Sequence, residues 1–168
     1  VTTGTQNTLV GGEAGDALTT GTENVAVGKG ALTTDDVGFQ STAVGAGALT
    51  SQNIASAAST YNSALGYQAG FYNITGTFDT YIGWRSGFGV SGNSNSHNTG
   101  LGANSLNDVT TGSYNTCIGS LTGDAITSGN NNVVVGYASD TSGATITQAI
   151  VMGAGVTGGS NEVTFGSS

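Results

Sequence analysis

Residues Asn24–Leu32 read NVAVGKGAL, and seventeen positions on, Ser41–Leu49 read STAVGAGAL. A phrase that returns at fixed spacing decides the fold before local propensity does, because each repeat is one unit that buries its surface against its neighbours. Taking the glycine that closes each phrase as an anchor gives Gly11, Gly28, Gly45, Gly66, Gly83, Gly102, Gly119, Gly136, Gly153 and Gly166. Six of the first eight intervals are 17 residues, the other two are 21 and 19, and the last is 13. The repeat fills the chain, so residues 1–168 are predicted to be a single repeat domain.

The position before the anchor is apolar in every repeat (Val10, Val27, Val44, Leu65, Ile82, Leu101, Ile118, Val135, Met152, Phe165). Two residues earlier stand Thr8, Val25, Thr42, Ser63, Thr80, Thr99, Thr116, Val133, Ile150 and Val163, mostly β-branched. This period of two is strand chemistry, and it predicts an all-β fold: a parallel β-solenoid of about ten 17-residue rungs. Three residues after the anchor the side chain is small (Ala14, Ala31, Ala48, Ala69, Ser86, Ser105, Thr122, Ser139), which predicts a tight inner corner. Asn7, Asn24, Asn62, Asn98, Asn115 and Asn132 fall four before the anchor, with Ser41 and Asp79 in the same column. Such residues bond to nearby backbone and stack in ladders, so the column is read as a structural corner.

The middle strand column (Leu9, Ala26, Ala43, Ala64, Tyr81, Gly100, Cys117, Val134, Val151, Thr164) is mainly apolar as well. Strands apolar on both faces are buried on both faces. The expectation is that the two flanking columns fill the coil. The middle column, Tyr81 included, then meets other copies of the chain in a homotrimer. At ~4.8 Å per parallel rung the body is on the order of 45–50 Å long.

Composition narrows the function. Only 7% of residues are charged, and ten acids against Lys29 and Arg85 give a net charge of −8. A surface of that sign repels phosphate backbones and anionic lipid, and no apolar run is long enough for a membrane span; nucleic-acid binding and membrane insertion are not expected. The lone cysteine, Cys117, rules out an intrachain disulfide and reads as a small buried hydrophobe.

The phrases NVAVG, STAVG, NSALG, NTCIG and NVVVG resemble the head repeats of trimeric autotransporter adhesins. Stretches such as TGSYNTCIG and TTGTENVAVGKGAL are similar to tandem repeats of bacteriophage tail fibres. The segment SNEVTFG, Ser160–Gly166, resembles the one that precedes a self-cleaving C-terminal chaperone domain in such fibres. The resemblance implies a trimeric, extended appendage, on a virion or at an extracellular cell surface, with further fibre segments at either end.

No enzyme constellation stands out, and the chain is read as non-enzymatic, without catalytic residues, metal ligands or cofactor. The acids are scattered, the glycines lack the lysine of a phosphate-binding loop, and His97 is the only histidine. One region departs from the pattern. Eight of the twelve aromatics fall between Tyr61 and Phe88, beside extra residues near Ser51–Thr60 and Gly89–Ser96. Insertions in repeat proteins map to surface loops and often to the binding face. Aromatic rings stack on the apolar faces of sugars, so Tyr61, Tyr67, Tyr72, Trp84, Arg85 and His97 are the candidate glycan contacts. The leading expectation is a structural and adhesive fibre segment presenting contacts to a host-surface glycan or protein receptor. The alternative is a bacterial surface adhesin or extracellular filament subunit. A third reading, an ice-binding solenoid, ranks below both because the threonines are expected to point inward.

Overall fold

A computed structural model describes residues 1–166. Its strands are β1 (Thr8–Val10), β2 (Val25–Val27), β3 (Thr42–Val44), β4 (Ser63–Leu65), β5 (Thr80–Ile82), β6 (Thr99–Leu101), β7 (Thr116–Ile118), β8 (Val133–Tyr137), β9 (Asp140–Thr141), β10 (Ile150–Ala154), β11 (Thr157–Gly158) and β12 (Val163–Phe165). Ten of them form one parallel sheet in the order β1-β2-β3-β4-β5-β6-β7-β8-β10-β12, and β9 pairs with β11. The chain is a β-solenoid of about nine turns. Pairing is in register column by column, Leu9 with Ala26, Ala26 with Ala43, Tyr81 with Gly100, Cys117 with Val134.

The anchor glycines explain the tight corner. Gly28 has φ 131°, and a Cβ there would lie 2.6 Å from the backbone of Gly45, the anchor of the next rung. Only glycine combines that φ with so close an approach of backbone to backbone. The small residues three positions on, Ala31, Ala48, Ala69, Ser86, Ser105, Thr122 and Ser139, are all buried, as their size predicts.

The two faces of the sheet are the reverse of the sequence expectation. The middle column points into the coil: Ala26, Ala43, Ala64, Tyr81, Cys117, Val134 and Val151 are buried, packed with Leu18, Leu32, Leu49, Leu106, Val109 and Ile126. The bulkier column before the anchor points outward, with Val10 56%, Leu65 51% and Leu101 42% exposed, and the threonine column lies on the same outer face. Width is the physical reason. A 17-residue turn leaves a narrow interior, which takes alanine opposite leucine but not a valine or isoleucine from both flanking columns.

The asparagine ladder is present. The Asn7 Oδ1 accepts the Asn24 N–H at 2.9 Å, Asn24 Oδ1 the Ser41 N–H, Asn62 Oδ1 the Asp79 N–H, Asp79 Oδ1 the Asn98 N–H, and so on to Ala149. Each asparagine amide also donates to a carbonyl on the next turn, Asn7 to Gly21, Asn24 to Gly38, Asn115 to Gly129. Where asparagine stands in the column, one side chain thus closes both a donor and an acceptor of backbone.

Candidate functional site

Five residues before each anchor the backbone turns left-handed, with φ close to +60° at Gln6, Glu23, Gln40, Tyr61, Phe78, His97, Tyr114, Asn131, Gln148 and Asn161. In-register rungs place these side chains directly above one another, about 4.8 Å apart. That is also a ring-stacking distance. Tyr61 and Phe78 stack at 5.0 Å between centroids, Phe78 and His97 at 4.8 Å, His97 and Tyr114 at 4.6 Å, the last two pairs with planes 5° apart. The result is a four-ring column of exposed side chains.

A second group sits on the other side of the anchors. Tyr67 and Trp84, each directly after its anchor, are 52% and 47% exposed. Arg85 places its guanidinium carbon 3.9 Å from the Phe88 ring centroid and 5.5 Å from that of Trp84, a cation–π arrangement. Phe71 stacks on Phe88 at 5.4 Å, and Tyr72 meets both rings edge-on.

The six candidate residues therefore divide. Tyr61 and His97 share the stacked column, whereas Trp84, Arg85 and Tyr72 join Phe71 and Phe88; no ring contact links the two groups among the described residues. Phe78 and Tyr114 complete the column and were not among the candidates. Their signal was in the sequence, since both stand five residues before an anchor. In the stacked column most ring faces are turned to one another, so a sugar has only the ring edges and the two end faces to meet. Among the described residues Tyr67 and Trp84 stack on no other ring; Arg85 lies over Trp84, so Tyr67 offers the freer face.

The insertions are exposed at their tips, Ala55–Ala58 and Val90–Gly92, but Gln52, Asn93 and Asn95 turn into the coil. Gln52 is buried and donates through Nε2 to Asp35 Oδ2 at 2.6 Å and to Ser41 Oγ at 2.8 Å, and its Oε1 accepts from Asn62. Asn95 accepts the Tyr81 hydroxyl at 2.6 Å and donates to Asn93, while Asn73 donates to Asp79 Oδ2 at 3.0 Å. A polar vein thus runs from Asp35 to Asn98 inside the coil, where other rungs hold Leu18, Val109 or Ile126. Burial pushes the Asp79 carboxyl up to about 7, against hydrogen bonds from Asn98 and Asn73 that pull it down. Burial likewise raises Asp35, Tyr81 and Cys117, so the Cys117 thiol stays protonated and unreactive at neutral pH. Among the described residues no group of three His, Cys, Asp or Glu side chains converges to hold a metal ion.

No family model, curated protein or solved structure matches this chain.

Proposed function

We propose that the chain is a structural and adhesive segment of an extracellular fibre, a phage tail fibre before a bacterial adhesin or filament, built from three copies packed along their sheets. The observation that carries this reading is the outer face of the ten-stranded sheet. It is apolar or β-branched everywhere but at Ser63, and its two outward columns hold no charged residue from Thr8 to Phe165. Exposed apolar patches of such extent mark interaction sites, and copies related by a symmetry axis cover one another. The exposed aromatics at the edges of the rod then supply receptor contacts, with a surface glycan the favoured target. Threefold presentation raises avidity by ~10²–10⁴ over one weak site when the target spacing allows simultaneous contact.

Light scattering after gel filtration tests this. Three times 16.4 kDa, about 49 kDa, is the expected mass; 16.4 kDa removes the seam. Charge on the face, as in Leu101→Lys, is expected to split the trimer while leaving the coil folded, because that side chain is already outside. Glycan arrays on the trimer, with Trp84→Ala as control, test the contacts.

A second reading gains from the same face. Thr8, Thr42, Thr80, Thr99 and Thr116 point outward, in an uncharged array with a rung-to-rung repeat. A regular lattice of hydroxyls and methyls is what an ice-binding surface needs. The two readings use one face and exclude each other: thermal hysteresis by a 16.4 kDa monomer supports ice binding, and a trimer without hysteresis supports the fibre.

A further inference from the structure

The chain is acidic, yet its two basic side chains stand on one corner of the coil. Lys29 directly follows its anchor glycine, and Arg85 lies two residues after its own. The acids fall elsewhere in the rung, except Glu13, which stands in the Arg85 column four rungs below it. Between the two cations the same corner carries Tyr67 and Trp84, both exposed. In-register rungs set Lys29 and Arg85 roughly 14 Å apart along the rod.

Arg85 is held in place but not paired. Its backbone is left-handed at φ 52°, like Gln68 at 55° and Asn104 at 53° in the same column of the rungs on either side. The guanidinium rests over Phe88 and beside Trp84, which orients it without neutralising it. Its Nε is buried with no hydrogen-bond partner, and among the described residues no carboxylate pairs with it. A buried donor without an acceptor calls for an explanation, and a ligand is one. Tyr67 lies one rung below Trp84, and its carbonyl accepts the Arg85 N–H at 2.9 Å. Gln68 and Asn104 add half-buried carboxamides.

We infer that this corner is a subsite for a glycan that bears a carboxylate, a uronic or sialic acid residue. The guanidinium fork takes the carboxylate in two parallel hydrogen bonds. The ring of Tyr67 takes the apolar face of the adjoining sugar, and Gln68 and Asn104 bond its hydroxyls. A single planar fork matches a planar monoanion, and the net charge of −8 opposes a dianionic phosphate. The inference rests on the reading of the exposed aromatics as glycan contacts, and it names the class of sugar.

The experiment titrates the full chain with short oligosaccharides ending in glucuronic, galacturonic or sialic acid, each beside its methyl ester. Neutral and sulfated oligosaccharides are run alongside. Calorimetry gives the affinity, and the emission of Trp84, the only tryptophan, reports the place. At least one acid is expected to bind and to shift that emission, and its ester to bind ~10–100-fold more weakly. Arg85→Gln is expected to lose as much, and it suits the backbone because Gln68 already holds that conformation one rung away. Arg85→Lys keeps the charge without the fork and is expected to fall between. Lys29→Gln removes the same charge, but at roughly 14 Å it is screened in 0.15 M salt and should change affinity less than ~2-fold. Equal binding of acid and ester, which needs no variant to fold, would overturn the carboxylate subsite and leave the glycan reading in place. So would equal losses from the Lys29 and Arg85 variants, an unmoved Trp84 emission, or binding confined to neutral or sulfated sugars. Binding of no sugar at all would overturn both.

Discussion

The rung carrying Ala26 and the rung carrying Tyr81 occupy equivalent places in the same sheet, yet they are held by different means. Around Ala26 the neighbours follow nearly one pattern: Ala43 and Ala64 inside after Leu9, Asn7 and Asn24 at the corner before Ser41, and glycine against glycine throughout. Around Tyr81 the anchor glycines and the corner ladder continue, but the inward column does not repeat: Ala64, Tyr81 and Gly100 follow one another. The ring fills its rung because the residue above it in register is Gly100, where a Cβ would lie 3.1 Å from Tyr81 Cδ1, and because Gly87 also leaves its space to the ring. The regular rung is stable through a rule, the irregular one through mutual fit, and mutual fit is the easier to break.

The largest expected effect follows from that fit. Tyr81→Ala removes a fully buried ring, a loss of about 3–5 kcal/mol for large aromatic truncations. Gly100→Ala alone crowds Tyr81 Cδ1 at 3.1 Å and Ser86 Oγ at 2.7 Å, costing about 1–3 kcal/mol, of which only the ring's share is relieved by the second substitution. In the double variant the added methyl enters the space that the ring has left and restores the alanine pattern of β2, β3 and β4. Denaturant unfolding of all four proteins should show coupling of about 0.5–3 kcal/mol in the favourable direction. Strict additivity would mean that ring and glycine are not paired.

The next effect is pH-dependent and belongs to the same rungs. Below pH 3.8 the Asp79 carboxyl is protonated in both states and carries no penalty. Between 3.8 and about 7 the unfolded chain releases its proton while the folded chain keeps it, so stability falls as pH rises; above about 7 the loss is complete. A shift of roughly three units sets a ceiling of about 4 kcal/mol. Asp35, Asp124 and Asp140 are raised by burial as well and act in the same direction. Unfolding midpoints at pH 4 and pH 8 are expected to be higher in acid. Asp79→Asn, which cannot titrate, should flatten much of the slope; a profile that does not change would contradict the assignment to Asp79.

The regular rungs have their own weak point. Gly28→Ala puts a Cβ at φ 131° and 2.6 Å from the Gly45 backbone, a cost of about 3 kcal/mol from backbone strain and overlap together. Gly12→Ala, where a Cβ meets nothing within 4 Å, should leave the melting temperature almost unmoved.

Much of this was legible in the residues. The anchors gave the rung length, the small column gave the corner, and the asparagines gave the ladder. Which face of the strand points inward was not legible from alternation, because Val27 and Ala26 are both apolar and a period of two says only that they are opposed. Number decides it: each strand sends one side chain into the narrow coil, Ala26, Ala43 and Ala64 as well as Val134 and Val151, and leaves the two that flank it outside. The inward role of Gln52, Asn93 and Asn95 was hidden for a different reason: they look like loop residues, and only the register of the coil sets Gln52 beside Asp35, Ser41 and Asn62, and Asn95 beside Tyr81 and Asn93.

The smallest expected effect compares one column in the two regions. At the left-handed position the regular rungs carry Gln6, Glu23 and Gln40, and the irregular ones carry Tyr61, Phe78, His97 and Tyr114. Left-handed backbone costs any residue with a Cβ roughly 1–2 kcal/mol, and asparagine least. The aromatic rungs offset that cost through stacking, about 0.5–1.5 kcal/mol per pair. Phe78 makes two such contacts, so Phe78→Ala should lose about 1–3 kcal/mol with no relief of backbone strain. Phe78→Asn loses the same stacks but gains the residue that Asn131 and Asn161 already place in this column, and should therefore be the less damaging of the two. If alanine proves as good as asparagine at Phe78, the backbone cost is not what the stacked rings offset, and their place on the outside of the rod is left to whatever they bind.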